Sequence, residues 1–235
     1  MVTMPAPVDE SPAGPPAGSA AEPPAPTLLD RWTTLLTRCQ TGAERPDPVP
    51  YGKNLLERWG EPQRHYHTAA HLKAVLDRID ELADHADDPD AVRLAAWFHD
   101  AVYRPDRSEN EERSARLAQV ALAEAGVGEE RVAEVARLVR LTVSHDPRAD
   151  DRNGEVLCDA DLAVLAGTPA EYAAYAAAVR EEYGFVPDDA FREGRAAVLR
   201  QLLGLPRLFR TETGYGRWEA AARHNVGTEL ELLGV

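Results

Sequence analysis

The sequence predicts an all-α fold. Apolar residues recur at spacings of three and four from Thr27 onward. Strictly alternating runs of β-branched residues are absent, and Pro, Gly and capping residues punctuate the chain at helix-length intervals.

Residues 1–26 hold eight of the 18 prolines, mixed with Ala, Gly and Ser, and read as a disordered tail outside the fold. Leu28, Trp32, Leu35 and Leu36 form one face of a first helix, with Thr27 or Asp30 near its cap. Three prolines make 45–51 a loop, and a short helix over 54–59 is stopped by Gly60 and Pro62. His71, Leu72, Val75, Leu76, Ile79 and Leu82 predict a helix over 67–85. Asp90 caps a helix through Tyr103, ended by Pro105. Ser108 and Glu111 make an S-x-x-E capping box for a helix through Ala125, which Gly126 ends. A helix over 129–144 stops at Pro147. After a polar loop with Asn153-Gly154, a helix over 155–166 runs to Gly167. Thr168-Pro169 opens a helix to about Tyr183, with Pro at its first position. The segments 187–203 and 212–233 supply the last two helices. The expectation is one all-α domain over 27–235, with no internal repeat.

Composition narrows the function classes. The 235 residues are 44% hydrophobic and 28% charged, enough to build a core inside a solvated surface. No apolar stretch approaches the roughly 20 residues of a membrane helix, and the start lacks a basic and apolar leader. The formal net charge is −14, or −11 without Asp9, Glu10 and Glu22 of the tail, which argues against long nucleic acid and anionic membranes as partners. Cys39 and Cys158, far apart and in no CxxC pattern, exclude a disulfide framework and a thiolate zinc site, and a reducing cytoplasm is expected.

Three segments carry polar residues where the pattern is apolar. The run 91–103 is apolar nearly all round, yet holds His99 and Asp100 side by side. An unpaired buried carboxylate costs several kcal/mol, so the pair needs a bound cation, or else a helix end that meets water. His67 and His71, four apart, would share a helix face, a spacing that suits a metal or a proton relay and also ordinary packed histidines. The zinc-protease HExxH is ruled out because Thr68 stands where Glu is required. In Cys158-Asp159-Ala160-Asp161-Leu162 one carboxylate can cap a helix, which leaves the other pointing inward.

Taken together, a histidine, an adjacent His-Asp 28 residues later and an aspartate in A-D-x-L, all on predicted helices, resemble the HD superfamily of metal-dependent phosphohydrolases. The block from His67 to Asp100 is more distantly similar to the cyclic-nucleotide phosphodiesterases. The run from Trp59 to Leu233 resembles a bacterial family described only as predicted HD-superfamily phosphohydrolases. That resemblance rests on Arg64-His-Tyr-His-x-x-x-His71, Trp97-Phe-His-Asp-x-Val-Tyr103, Glu109-Asn-Glu-x-x-Ser-Ala115, Asp159-Ala-Asp-Leu and Glu219-x-x-Ala-Arg-x-Asn225.

The resemblance implies an HD-type helical bundle and a divalent ion (Mn, Fe, Co, Ni, Zn or Mg) held by His71, His99, Asp100 and Asp161. Asp161 is preferred to Asp159 as the aspartate of A-D-x-L. His67 matches the phosphodiesterases' general-acid histidine. Glu109 and Glu111 are either aids to metal-bound water or a helix cap, and Glu111 is taken as the catalytic candidate. His145 is either a further ligand, as in some HD proteins, or a cation at a helix C-terminus. Arg64, Tyr66, Lys73, Tyr103 and Arg104 flank the ligands as candidate substrate contacts, with packing or solvated charge as the alternative role. His85 and His224 join no constellation, while Glu219, Arg223 and Asn225 are expected to brace the core. The implied activity is hydrolysis of a small-molecule phosphate ester, such as a nucleotide, by metal-activated water. The alternatives are an HD-fold di-iron oxygenase, with His145 as the discriminating ligand, and a non-catalytic metal or nucleotide sensor.

Overall fold

The computed structural model describes residues 25–234. The expected disorder of 1–26 falls almost wholly outside them. Among the described residues the protein is all-helical, with ten α-helices, two short 3-10 turns and no strand beyond the isolated bridge Gln40–Val127. Among these residues no single helix is long and apolar enough to cross a membrane.

Helix α1 (Leu28–Cys39) starts with a complete capping box, in which Thr27 and Asp30 satisfy each other's backbone N–H groups. Helix α2 (Pro48–Trp59) overturns the loop expected through Tyr51. Asp47 caps it, and Pro48 and Pro50 lie in the first turn, where a missing N–H leaves no bond unmade. Helix α3 (Ala69–Leu82) begins after Thr68, so His67 precedes the helix rather than sharing its face with His71. A 3-10 turn, Ala83–His85, follows.

Helix α4 (Pro89–Phe98) is capped by Asp88, not Asp90, and ends five residues before the expected Tyr103, with His99 as its C-cap. Helix α5 (Asn110–Glu124) lacks the predicted Ser108–Glu111 box. Instead the Asn110 amide accepts from the Arg104 N–H and donates to the Arg104 and Arg107 carbonyls, tying down the preceding loop. Helix α6 spans Glu129–Leu141. Helix α7 (Arg152–Leu162) takes in the Asn153-Gly154 pair expected in a loop, because the Asp151 side chain accepts the Gly154 N–H. Helices α8 (Pro169–Glu182, with a Thr168–Glu171 capping box), α9 (Asp188–Gly204) and α10 (Glu212–Leu233) complete the chain.

One continuous core draws on all ten helices, α8 through Tyr172. Helix α4 crosses it with every residue from Leu94 to Phe98 buried, and the Trp32 and Trp97 rings meet edge to face at 5.2 Å. Against α4 pack α3, α6 and α7. That arrangement gathers the start of α3 and the ends of α4 and α7 at one side of the core.

Candidate metal centre

His71 lies in the first turn of α3, His99 caps the C-terminus of α4, and Asp161 is next to last in α7. His99 Nδ1 lies 2.8 Å from the Ala96 carbonyl and must donate to it, which leaves Nε2 as the free electron pair. His99 Nε2 lies 3.4 Å from His71 Nε2. Asp161 Oδ1 is 3.1 Å from His71 Nε2 and 3.6 Å from His99 Nε2. Donors sharing an ion at about 2.1 Å stand about 3.0 Å apart at octahedral angles and about 3.4 Å apart at tetrahedral ones. The His71, His99 and Asp161 donor atoms all fall within 4.8 Å of one another and could hold a metal ion. Asp100 Oδ2 is 3.2 Å from His99 Nε2, at the edge of the same group.

Electrostatics describe a site short of positive charge. Burial works against ionising Asp161, but His99, His145 and His71 hold its carboxyl well below the ordinary range. Asp100 is likewise lowered, against burial, by His99 and His67. Burial would depress His99, yet Asp100 and Asp161 together push it up to about 9. Burial lowers His71. Two buried carboxylates thus draw a proton onto the imidazole between them, and a divalent cation in the same place would satisfy both. The residues fit such an ion.

His145 follows α6 in the left-handed region (φ 50°), uncommon for a residue with a Cβ. Its N–H still bonds the Leu141 carbonyl, as a helix-terminal residue would. Its Nε2, however, lies 2.8 Å from Asp161 Oδ2. The two Asp161 oxygens therefore face different histidines. Asp159 points elsewhere: it accepts from the Arg210 and Thr211 N–H groups and the Thr211 hydroxyl ahead of α10. Burial raises its carboxyl to about 6. One aspartate of the pair is a brace between helices, and the other turns to the histidines.

His67 stands in the 61–68 segment, where Glu182 from the end of α8 holds it. Oε1 of Glu182 accepts the backbone N–H groups of His65, Tyr66 and His67, each at 2.9 Å. Oε2 lies 2.7 Å from His67 Nδ1 and accepts the Tyr103 hydroxyl at 3.0 Å. Burial would raise the Glu182 carboxyl, but the His67 ring and these backbone donors pull it down to about 2. An ionised acceptor there fixes the proton on Nδ1 and aims Nε2 toward the cluster, 3.9 Å from Asp100 Oδ2. Burial opposes protonation of His67, and Asp100 and Glu182 more than offset it. Sequence reasoning missed Glu182. Beside Glu181 at a helix end it looks like a solvated charge, and its partners lie 79 to 117 residues upstream.

The expected substrate contacts divide. Tyr66 packs edge-on against His67 at 4.8 Å and lines the adjoining cavity. The Tyr103 ring lies 4.3 Å from His67, with its hydroxyl committed to Glu182. Arg64 is a correction. Its side chain is fully buried between the Trp59 and Tyr103 rings and donates to the His67 and Asp100 carbonyls, bracing the loops that carry both residues. Lys73 lies on the outer face of α3, paired with Asp77, and Arg104 is exposed beside Asp106, so neither is brought to the cluster. No hydrogen bond or ion pair joins Glu109 or Glu111 to it either, and both stand at the start of α5. His85 pairs with Glu155, linking the 3-10 turn to α7. Glu219, Arg223 and Asn225 brace the chain, binding respectively the Leu208 and Phe209 N–H groups, the Leu203 and Leu205 carbonyls, and the Leu165 and Gly167 carbonyls.

A cavity of about 530 Å³ opens beside His67, His145 and Asp161 and extends between α8 and α9. Comparison of the chain with known protein families, with curated proteins and with solved structures finds no match in any of the three.

Proposed function

We propose that this protein is an HD-type metal-dependent phosphohydrolase acting on small phosphate esters. One observation carries the reading: His71, His99 and Asp161, from three separate segments, converge at ligand-to-ligand distances, with Asp100 against His99 and the Nε2 of a tethered histidine beside Asp100. These residues would hold a divalent ion, which would supply acidified water and offset charge on phosphoryl oxygens. The chain's own residues do the rest. His67, its Nδ1–H held by Glu182, presents Nε2 to protonate the leaving oxygen. Asp100 strengthens the hold of His67 on that proton. Arg64 fixes the backbone of both residues.

Charge limits the substrate. The body beyond the tail carries −11, and Arg64, which braces the cluster's loops, is buried and committed to carbonyls and Glu61. Binding a long phosphate backbone needs several free cations on one face. The test is metal analysis of the purified protein followed by phosphate release from small esters and from duplex DNA at equal ionic strength. Small esters are expected to turn over at least about tenfold faster in kcat/KM, a gap of about 1.4 kcal/mol. A polymer favoured by that margin overturns the substrate class, and a metal-replete protein without turnover marks a sensor.

A second reading follows from His145. Its Nε2 faces Asp161 Oδ2 while Oδ1 faces His71 and His99, so His145 and Asp161 would be the residues to hold a second ion. Two irons per chain, with oxygen consumption and no phosphate release, would favour the oxygenase.

A further inference from the structure

The cavity beside the cluster is the size of a small organic ligand and mostly apolar, with its imidazole and carboxylate groups at one end. At that end stand His67, His145 and Asp161. Away from it the walls are aliphatic and aromatic, including Leu165, Val179, Val186, Phe191, Val198 and Leu202.

The charged member of the far wall is Arg195, and its donors are already committed. Nε and Nη2 meet both Glu229 oxygens at 2.8 and 3.0 Å, Nη1 donates to the Tyr175 hydroxyl at 3.1 Å, and the guanidinium lies over the Tyr175 ring. The side chains of the pair are 9% and 13% exposed, so this is a closed, neutral unit rather than an anion site. The Tyr175 hydroxyl accepts from Arg195 and keeps a single O–H to donate, far short of the several donors and acceptors along a nucleobase edge. Little remains in this wall to read the polar edge of a nucleobase, and leaving those edges unpaired would penalise a nucleotide. At the rim, Val198 is 50% exposed, and Phe185, 60% exposed, stacks on cavity-lining Tyr183 at 6.2 Å. An acidic body that exposes large apolar side chains at the mouth of an apolar cavity offers its ligand hydrocarbon contact.

We infer that the site takes phosphate monoesters with an apolar body, alkyl or aryl, and selects against nucleotides. The phosphate sits at the His67–Asp161 end and the hydrocarbon runs between α8 and α9. This rests on the phosphohydrolase reading for the head group, while the apolar body rests on the cavity walls alone.

The experiment uses the full chain as purified with its metal, and straight-chain alkylphosphonates from ethyl to octyl as non-hydrolysable probes in calorimetry. Affinity is expected to rise about threefold to fourfold per methylene until the cavity is full, then level off. In parallel, kcat/KM on the matching alkyl phosphates should climb with chain length and exceed that on adenosine and uridine monophosphates by at least about tenfold. Gly194 lines the cavity, and a Cβ there would meet nothing within 4 Å, so Gly194→Leu fills the space without disturbing the helix. It should weaken octylphosphonate about tenfold or more and leave ethylphosphonate within about twofold. Affinity independent of chain length, equal loss for both probes in Gly194→Leu, or better turnover of the nucleotides overturns the inference. If no ester is hydrolysed but affinity still climbs with chain length, the cavity assignment stands and the phosphohydrolase reading fails. Should the Leu variant melt more than a few degrees lower, Val198→Glu at the half-exposed rim repeats the comparison, with the octyl probe again losing selectively.

Discussion

Replacing Glu182 separates holding His67 from aiming its proton. The carboxylate, fully buried, accepts five hydrogen bonds, three from successive backbone N–H groups and one each from His67 Nδ1 and the Tyr103 hydroxyl. Alanine would orphan all five donors at about 1–3 kcal/mol each, more than a domain of this size can lose. Glu182→Gln is the informative change. Its amide oxygen can keep the three backbone bonds in weaker, neutral form, while its NH2 group replaces an acceptor with a donor opposite His67 and Tyr103. Exchanging charge-assisted for neutral bonds, with one contact reversed, should cost roughly 2–3 kcal/mol of stability. The chemical effect is larger. A donor facing Nδ1 moves the neutral ring's proton to Nε2 and opposes a second proton on Nδ1, so the histidine cannot act as a cationic acid. Turnover of esters with poor leaving groups should fall by about 10²–10⁴, and that of nitrophenyl esters by less than about tenfold, because an acidic phenol leaves without help. Metal content should be unchanged. Combining Glu182→Gln with His67→Ala should be no worse than His67→Ala alone, since both remove one proton transfer. The measurement is kcat across a series of aryl phosphates, beside metal analysis and a melt. A loss independent of the leaving group, or loss of the metal, would refute the reasoning and leave Glu182 as a loop anchor only.

Three further outcomes are expected. His99→Ala should abolish stoichiometric metal while far-ultraviolet circular dichroism stays helical; full occupancy in that variant rejects the ligand assignment. Neither cysteine should react with a thiol-specific disulfide reagent in the folded protein at pH 8, because both are fully buried and burial pushes Cys39 up to about 11 and Cys158 upward too; reaction of both should follow only denaturation. In α10, Gly214→Ala would drive a methyl into the Asp159 carboxylate and should destabilise by about 1–3 kcal/mol in urea melts, whereas Gly216→Ala, whose Cβ meets open space, should stabilise by about 0.5–1 kcal/mol; equal effects at both positions would contradict the packing described.

Most of the helices are legible in the chain because their causes are local. The Thr27–Asp30 and Thr168–Glu171 boxes act over three residues, and the apolar stripe from His71 to Leu82 repeats with the helical period. Errors arose where a local rule had a competitor. Prolines that signal a loop sit equally well in the first turn of α2, once Asp47 caps it. Ser108 offered a cap, but Asn110 bonded back to the loop and moved the start of α5. The length of the His67–His71 spacing suggested one helix face, yet Glu182 recruits the His65–His67 N–H groups and keeps His67 off the helix.

By itself the sequence determined that polar residues interrupt apolar helices at His71, His99–Asp100 and Asp159–Asp161, since a charge in a hydrophobic run is visible wherever the run folds. Only the tertiary structure decided which of them meet. Whether Asp159 or Asp161 faces the histidines depends on where the loop before α10 brings the Arg210 and Thr211 N–H groups, some 50 residues away. Arg64 had the charge of a substrate clamp, and packing between Trp59 and Tyr103 made it a brace. The cavity between α8 and α9 has no local signature, because its walls belong to helices whose apolar residues could as well have closed on the core. Backbone preference and capping act within about one turn of helix, whereas a site assembled from helix ends is set by how those helices pack.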